Sequence, residues 1–211
     1  MEQATRTIYS EYAAYPETQG IIAVEKRQPR DSLTDQFDVL LLVITRDPSV
    51  EWTVKHYRLN TLRVSLHLVH EQVLSRWLIL NANRRAVHWV SEGTIIFERN
   101  DYLTDLKKQL RNFPETERCL QMSLSFAKLL RRFQDGRNLF SRGNYYDAYT
   151  HVHHALHHLA RLSVLEKGAH PEVVVWEQAR LDDPDVYKLY EQLLLSEETL
   201  EQRIHLALIG L

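Results

Sequence analysis

Cysteine is almost missing from this chain. Cys119 is the single one in 211 residues, which excludes an intramolecular disulfide framework and any cysteine-rich zinc site. Glycine and proline number six each, too few for a collagenous or low-complexity chain. Neither sign of charge dominates, with 26 Lys and Arg against 28 Asp and Glu for a net of −2. Nucleic-acid binding would therefore need a local basic patch, and none stands out. No apolar run approaches the ~20 residues of a membrane span. The start, Met1-Glu2-Gln3-Ala4, is polar and has no apolar signal core. These absences point to a soluble, cytoplasmic protein. What is present is an ordinary globular mixture, 44% apolar and 26% charged. At roughly 100–200 residues per domain it suits one large domain or two modest ones.

The two halves have different rhythms. Residues 5–15 have helical spacing, with Ile8, Tyr12 and Tyr15 on one stripe. Ile21-Ile22-Ala23-Val24 reads as a short buried strand. Residues 28–37 read as a loop. Phe37 to Ile44 is apolar at both parities, so a strand covered on both faces is predicted. Residues 51–59 and 63–69 alternate like half-exposed strands. The stretch 70–91 reads as one helix, 94–97 as a strand and 101–111 as a helix. Pro114 then marks a boundary. Beyond it helices are predicted over 116–141, 145–167, 171–180 and from Pro184 to about 208. The stripe of the first is Leu120, Leu124, Ala127, Leu130 and Phe133. The fold class is therefore α+β: a small mixed sheet flanked by helices over 1–112, then an all-α antiparallel bundle over 113–211. Residues 1–112 carry 15 basic and 14 acidic side chains, and the remainder 11 and 14. Neither half reads as a nucleic-acid module.

Three groups of residues carry chemistry. Asp35 and Asp38 stand at the mouth of the apolar strand, where paired carboxylates can hold Mg²⁺ over a phosphate. The alternative is a turn residue and a strand-end cap. The second group is His151, His153, His154, His157 and His158, five of the eleven histidines. His154 and His158 are spaced i, i+4, as a transition metal would require. At ~100° per residue, however, the five rings split between two flanks of a helix whose apolar stripe is Val152, Leu156 and Leu159. Neutral rings on both flanks also suit burial on two sides, against the first domain or a second copy of the chain. The third group is basic: Arg84 and Arg85, then Lys128, Arg131, Arg132, Arg137 and Arg142. These can face an anion in a cleft or form solvated helix faces.

The order of elements resembles the nucleotidyltransferase superfamily, and more closely the bacterial nucleotidyltransferase-like proteins. The likeness is carried by Ile21 to Arg27, Leu33 to Ile44, Asn83 to Val90, Gly93 to Leu110 and Tyr145 to Pro171. The second half resembles the helical bundles, of the HEPN and kanamycin-nucleotidyltransferase kind, that follow such folds. That resemblance implies a homodimer through the bundle and relatives with a further C-terminal region. The spacing from Arg161 to His170 is too long for the HEPN nuclease signature.

Active members of the superfamily carry Gly-Ser after the first strand, an acid-apolar-acid triplet on the next, and a third acid on a later strand. The acids hold two Mg²⁺ for in-line transfer of a nucleotidyl group. This sequence has Glu25-Lys26 for Gly-Ser, Asp38 for the first acid, Leu40 for the second, and Ser65 and His67 for the third. Glu25 is expected to repel phosphates, with Lys26 and Arg27 offsetting it. By this resemblance Asp38 and Asp35 are the candidate catalytic and Mg²⁺-binding residues. Lys26, Arg27, Arg84 and Arg85 are the candidate nucleotide-binding residues, and His154 and His158 a weaker metal pair. The favoured expectation is a nucleotidyltransferase-like fold with a degenerate metal site, acting by nucleotide or partner binding. The alternatives are an active transferase with displaced acids, in a rearranged site using Asp35, Asp38 and His67, and a His-rich metal-binding or structural bundle.

Overall fold

The computed structural model describes residues 2–27 and 33–211, with the side chains of residues 2–4 and 84 excepted. Within them the chain forms two compact units, 1–114 and 115–211. Residues 28–32 of the expected loop lie outside the described residues.

The first unit is a five-stranded mixed sheet with helices on both faces. Its elements are α1 (Glu2–Ala14), β1 (Thr18–Glu25), β2 (Val39–Thr45), β3 (Trp52–Leu59), β4 (Leu62–His70), α2 (Glu71–Leu80), α3 (Arg84–Glu92), β5 (Thr94–Glu98) and α4 (Tyr102–Asn112). The strand order is β3-β4-β2-β1-β5. Only the β2–β4 pair is parallel; the others are antiparallel.

All seven residues of β2 are buried, because each face of the sheet has its own cover. Val39, Leu41 and Val43 pack with Ile21, Val64 and Leu66 under Ile8 and Tyr12 of α1. Leu40, Leu42 and Ile44 pack with Ile22, Val24 and Val69 under α2, α3 and α4.

The helix expected over 70–91 is two helices. Asn81 ends α2 in the left-handed region at φ 48°, a conformation asparagine tolerates better than most residues. Asn83 opens α3 by accepting the Arg85 backbone N–H at 3.2 Å. Arg84 and Arg85 therefore stand in the first turn of a helix, not mid-helix.

The second unit is helical: α5 (Glu115–Ser141), α6 (Tyr145–Glu166), α7 (Val175–Asp182), α8 (Pro184–Leu195) and α9 (Leu200–Gly210). The helix expected over 171–180 begins at Val175. The last expected helix is also two, because a Thr199–Gln202 capping box starts α9 afresh.

The predicted stripe of α5 is displaced. Leu120 and Leu130 are exposed, while Gln121, Ser125, Leu129 and Gly136 are buried. Small side chains let α5 approach α6 closely, and a Cβ on Gly136 would stand 2.9 Å from Val152 Cγ2. Helix α6 is the hub of the unit, touching α5, α7, α8 and α9. No described helix is long and apolar enough to cross a membrane.

Candidate functional site

Strand alternation assembles the site. Residues two apart share a face, so Arg63, Ser65 and His67 share the face of Val69. Their partners across β3 are Arg58, His56 and Val54. Leu40 pairs with Ser65 on the parallel side, and the Asp38 backbone N–H continues that ladder to the Arg63 carbonyl at 2.8 Å. This polar strip runs beside the apolar core that α3 covers.

Each candidate carboxylate already has a cationic partner. Asp38 Oδ2 accepts the Arg63 backbone N–H at 2.8 Å, with Arg63 Nε 3.7 Å away. Asp35, in the left-handed region at φ 53°, accepts from Arg85 Nη1. The loop carrying Asp35 is fastened to the same helix, because Trp89 Nε1 donates to the Leu33 carbonyl at 2.9 Å.

His67 lies at the centre of the strip. Its ring is 4.8 Å from that of Trp89 and 6.2 Å from that of Trp52. Burial, then His56 and Arg85, push its pKa down to about 4 against the opposing pull of Asp35. The imidazole is therefore neutral near pH 7. Trp52 Nε1–H points at His67 Nδ1 at 3.4 Å, which leaves the Nε2 proton for Ser65 Oγ at 3.0 Å. A histidine donating to a serine does not activate it as a nucleophile. The Ser65–His67 pair is therefore a fixed polar buttress rather than a catalytic dyad.

The remaining candidates separate. Glu25 pairs in register with Val39, which packs on the α1 face. By register it belongs to the α1 face, and it also lines the cleft that Lys26 and Arg27 line. Arg27 is bound to Glu92 at 2.8 Å. Lys26 lines a cleft of about 230 Å³ together with Leu33 and Glu92. Its backbone N–H donates to the Asp38 carbonyl at 3.0 Å, so it sits beside the acid. The Arg84 side chain lies outside the described residues. Arg58, Arg63, Trp52 and Trp89 were not among the candidates. For the first three the signal was the period-2 pattern of β3 and β4, which becomes legible once the pairing register is known; Trp89 belongs to the buried stripe of α3.

The donor set does not fit a two-cation centre. The middle acid position is Leu40, 3% exposed and packed among Ile22, Leu42 and Val90. No group of three or more His, Cys, Asp or Glu suited to a metal forms among the described residues. Mg²⁺ prefers octahedral oxygen ligands, and here two carboxylates are each engaged with an arginine.

Three of the α6 histidines, His151, His153 and His157, lie against other helices of their own unit, while His154 is exposed. His151 lies 3.6 Å from Asp135 and 3.5 Å from Arg132 Nη1, both on α5. His153 and His157 lie against Tyr190 and Trp176, whose rings stack at 3.7 Å. Burial lowers the pKa of His153 and His154 alike. His154 and His158 gather no third ligand among the described residues. The rings expected to meet another domain or a second copy thus include several that meet helices of the same bundle.

Residues 1–118 match the family model described as nucleotidyltransferase-like. This chain belongs to that family. The rest of this nucleotidyltransferase-like protein, residues 119–211, matches the model described as a YgxA-like substrate binding domain. Over 210 residues it is 43% identical to the uncharacterized protein YgxA of Bacillus subtilis (strain 168), covering 100% of this chain and 71% of that protein. The fold expected from the resemblance, a mixed sheet with helices followed by a helical region, is the one observed.

Proposed function

We propose that this nucleotidyltransferase-like protein binds a nucleotide without carrying out two-metal nucleotidyl transfer, and that it acts through binding or regulation. The observation that carries the reading is Leu40. An aliphatic side chain buried in the core takes the place where active relatives of the superfamily put their second acid. The fold supplies a polar cleft of about 230 Å³ lined by Lys26 and Arg27, with Asp38 next to Lys26 in the main-chain ladder, and in this reading packing replaces the chemistry of the metal centre.

In this reading the helical unit contributes the substrate-binding role that its family model describes. It is a bundle of the HEPN or kanamycin-nucleotidyltransferase kind and holds two copies together. The dimer is supported by Leu120, Phe126 and Leu130 of α5, which are all exposed. Light scattering at increasing concentration tests it, and a strictly monomeric mass sinks it.

A thermal-shift screen of the four ribonucleoside triphosphates tests the binding reading, since a ligand of the folded state raises the melting temperature by mass action. A parallel assay follows transfer of labelled nucleotide in Mg²⁺ or Mn²⁺. Melting shifts without transfer are expected. Metal-dependent transfer that Asp38→Ala abolishes would establish the displaced-acid transferase instead.

A further inference from the structure

We propose that the guanidinium groups of Arg63 and Arg85 stand in for the divalent cations, so that the site takes the phosphate chain of a nucleoside polyphosphate in its metal-free form. This rests on the nucleotide-binding reading above and names the ionic form of its ligand.

Carboxylates beside a phosphate site repel the ligand unless something cationic lies between them. In metal-dependent relatives that task belongs to Mg²⁺. Here Asp35 is held by Arg85 and Asp38 by Arg63. A guanidinium has five N–H donors in a rigid fork and matches phosphate geometry in a bidentate manner. Arg85 directs Nη1 to Asp35 and Arg63 approaches Asp38 through Nε, so each can keep N–H groups for a second anion. The carboxylates then orient the arginines, as outer partners orient metal ligands.

A second observation comes from the other side of β4. Arg58 and Arg63 are direct cross-strand partners in the β3–β4 register. Like charges directly opposite each other are unfavourable in a sheet. Asp38 answers one of these cations. The other, Arg58, is exposed and reaches the Asn60 carbonyl at 3.3 Å. A polyphosphate laid along this end of the sheet would relieve the repulsion. Lys26, next to Asp38 in the main-chain ladder, adds a third cation at the same end.

The consequence is an inverted metal dependence. A metal-requiring site binds the Mg²⁺ complex and loses affinity in a chelator. An arginine-built site prefers the free polyanion, and Mg²⁺ competes by neutralising the ligand. The test is titration calorimetry of the full chain with ATP, GTP, CTP and UTP, in EDTA and in excess Mg²⁺. Affinity in EDTA is expected to equal or exceed that in Mg²⁺. Arg63→Gln and Arg85→Gln should each weaken it about tenfold or more, the size of a lost charge-assisted contact. Asp38→Asn should retain or strengthen binding, because it frees Arg63; circular dichroism confirms that each variant is folded. Binding that appears only with Mg²⁺ and disappears in Asp38→Asn overturns the arginine assignment and leaves nucleotide binding standing. No binding of any triphosphate under either condition overturns both.

Discussion

Leu40 and Ser65 are register partners across the parallel β2–β4 pair, and both are buried. By the superfamily resemblance Leu40 falls at the second acid's position and Ser65 with His67 at the third's, so in the proposed reading restoring one acid does not restore a metal centre. Leu40 packs against Leu42, Ile22 and the α3 residues Val87 and Val90. Leu40→Asp removes that apolar contact and places a carboxylate where no cation waits. Core Leu→Ala changes cost about 2–5 kcal/mol, and an unpaired buried charge adds to that. A loss of roughly 3–5 kcal/mol is expected in denaturant unfolding, with no gain of transferase activity. A stable Leu40→Asp protein that transfers nucleotide in Mg²⁺ would show that the metal centre is one step away.

His67 makes the unit acid-sensitive. Its folded-state pKa, about 4, lies below the ordinary value near 6.5. Between those values the unfolded chain binds a proton that the folded chain does not, so stability falls as pH drops from 6.5 towards 4. Above pH 6.5 the term is fully favourable. His67→Gln removes this titration. Unfolding free energies of the two proteins, measured across pH 4 to 8, should converge as the pH falls through that window. Parallel curves would mean that His67 is solvated. Chemical-shift titration of the ring reports the same pKa directly.

Much of the architecture follows from side-chain periodicity, and the misses share a cause. β2 is apolar at both parities because both of its faces are covered, and that is a local pattern. The breaks at Asn81–Asn83 and Ser196–Thr199 are local too, yet the apolar spacing runs on across them and hides the caps. The α5 stripe went astray for a different reason. Its packed side relies on Ser125 and Gly136, and a face made for close approach lacks the large side chains that periodicity tracks. At the site, Asp35, Asp38 and Arg85 were visible as residue types. Arg63 was not, because its meeting with Asp38 depends on a parallel pairing 25 residues apart in sequence. The side of the sheet taken by Glu25 likewise required the register.

The Thr199–Gln202 box gives the second unit a measurable signature. Thr199 Oγ1 accepts the Gln202 backbone N–H at 3.3 Å, and Gln202 Oε1 accepts the Thr199 backbone N–H at 3.1 Å. Thr199→Ala removes one half of this exchange, at a cost of about 1 kcal/mol. Faster amide hydrogen exchange is expected in the first turn of α9, with α5 and α6 unchanged. If the whole unit opens together, α9 unfolds with the bundle instead of fraying from its end.

Gly93 decides how closely α3 meets the sheet. It joins α3 to β5, and its φ of −67° suits any residue. The constraint is space. A Cβ there would stand 2.2 Å from Ile22 Cγ2, 2.5 Å from the Trp89 carbonyl oxygen and 3.0 Å from Val24 Cγ2. Two of these neighbours are core side chains on β1 and the third is helix backbone, so relief requires α3 to move. Overpacking of this kind costs about 1–3 kcal/mol. Helix α3 also carries Arg85 to Asp35 and Trp89 to the Leu33 carbonyl, so the same movement displaces the site. Gly93→Ala should therefore lower the melting temperature and weaken triphosphate binding together. A second substitution, Ile22→Leu, removes the clashing Cγ2 methyl from Cβ at nearly constant volume and should restore part of both. Recovery of stability without recovery of binding would separate α3 docking from ligand recognition.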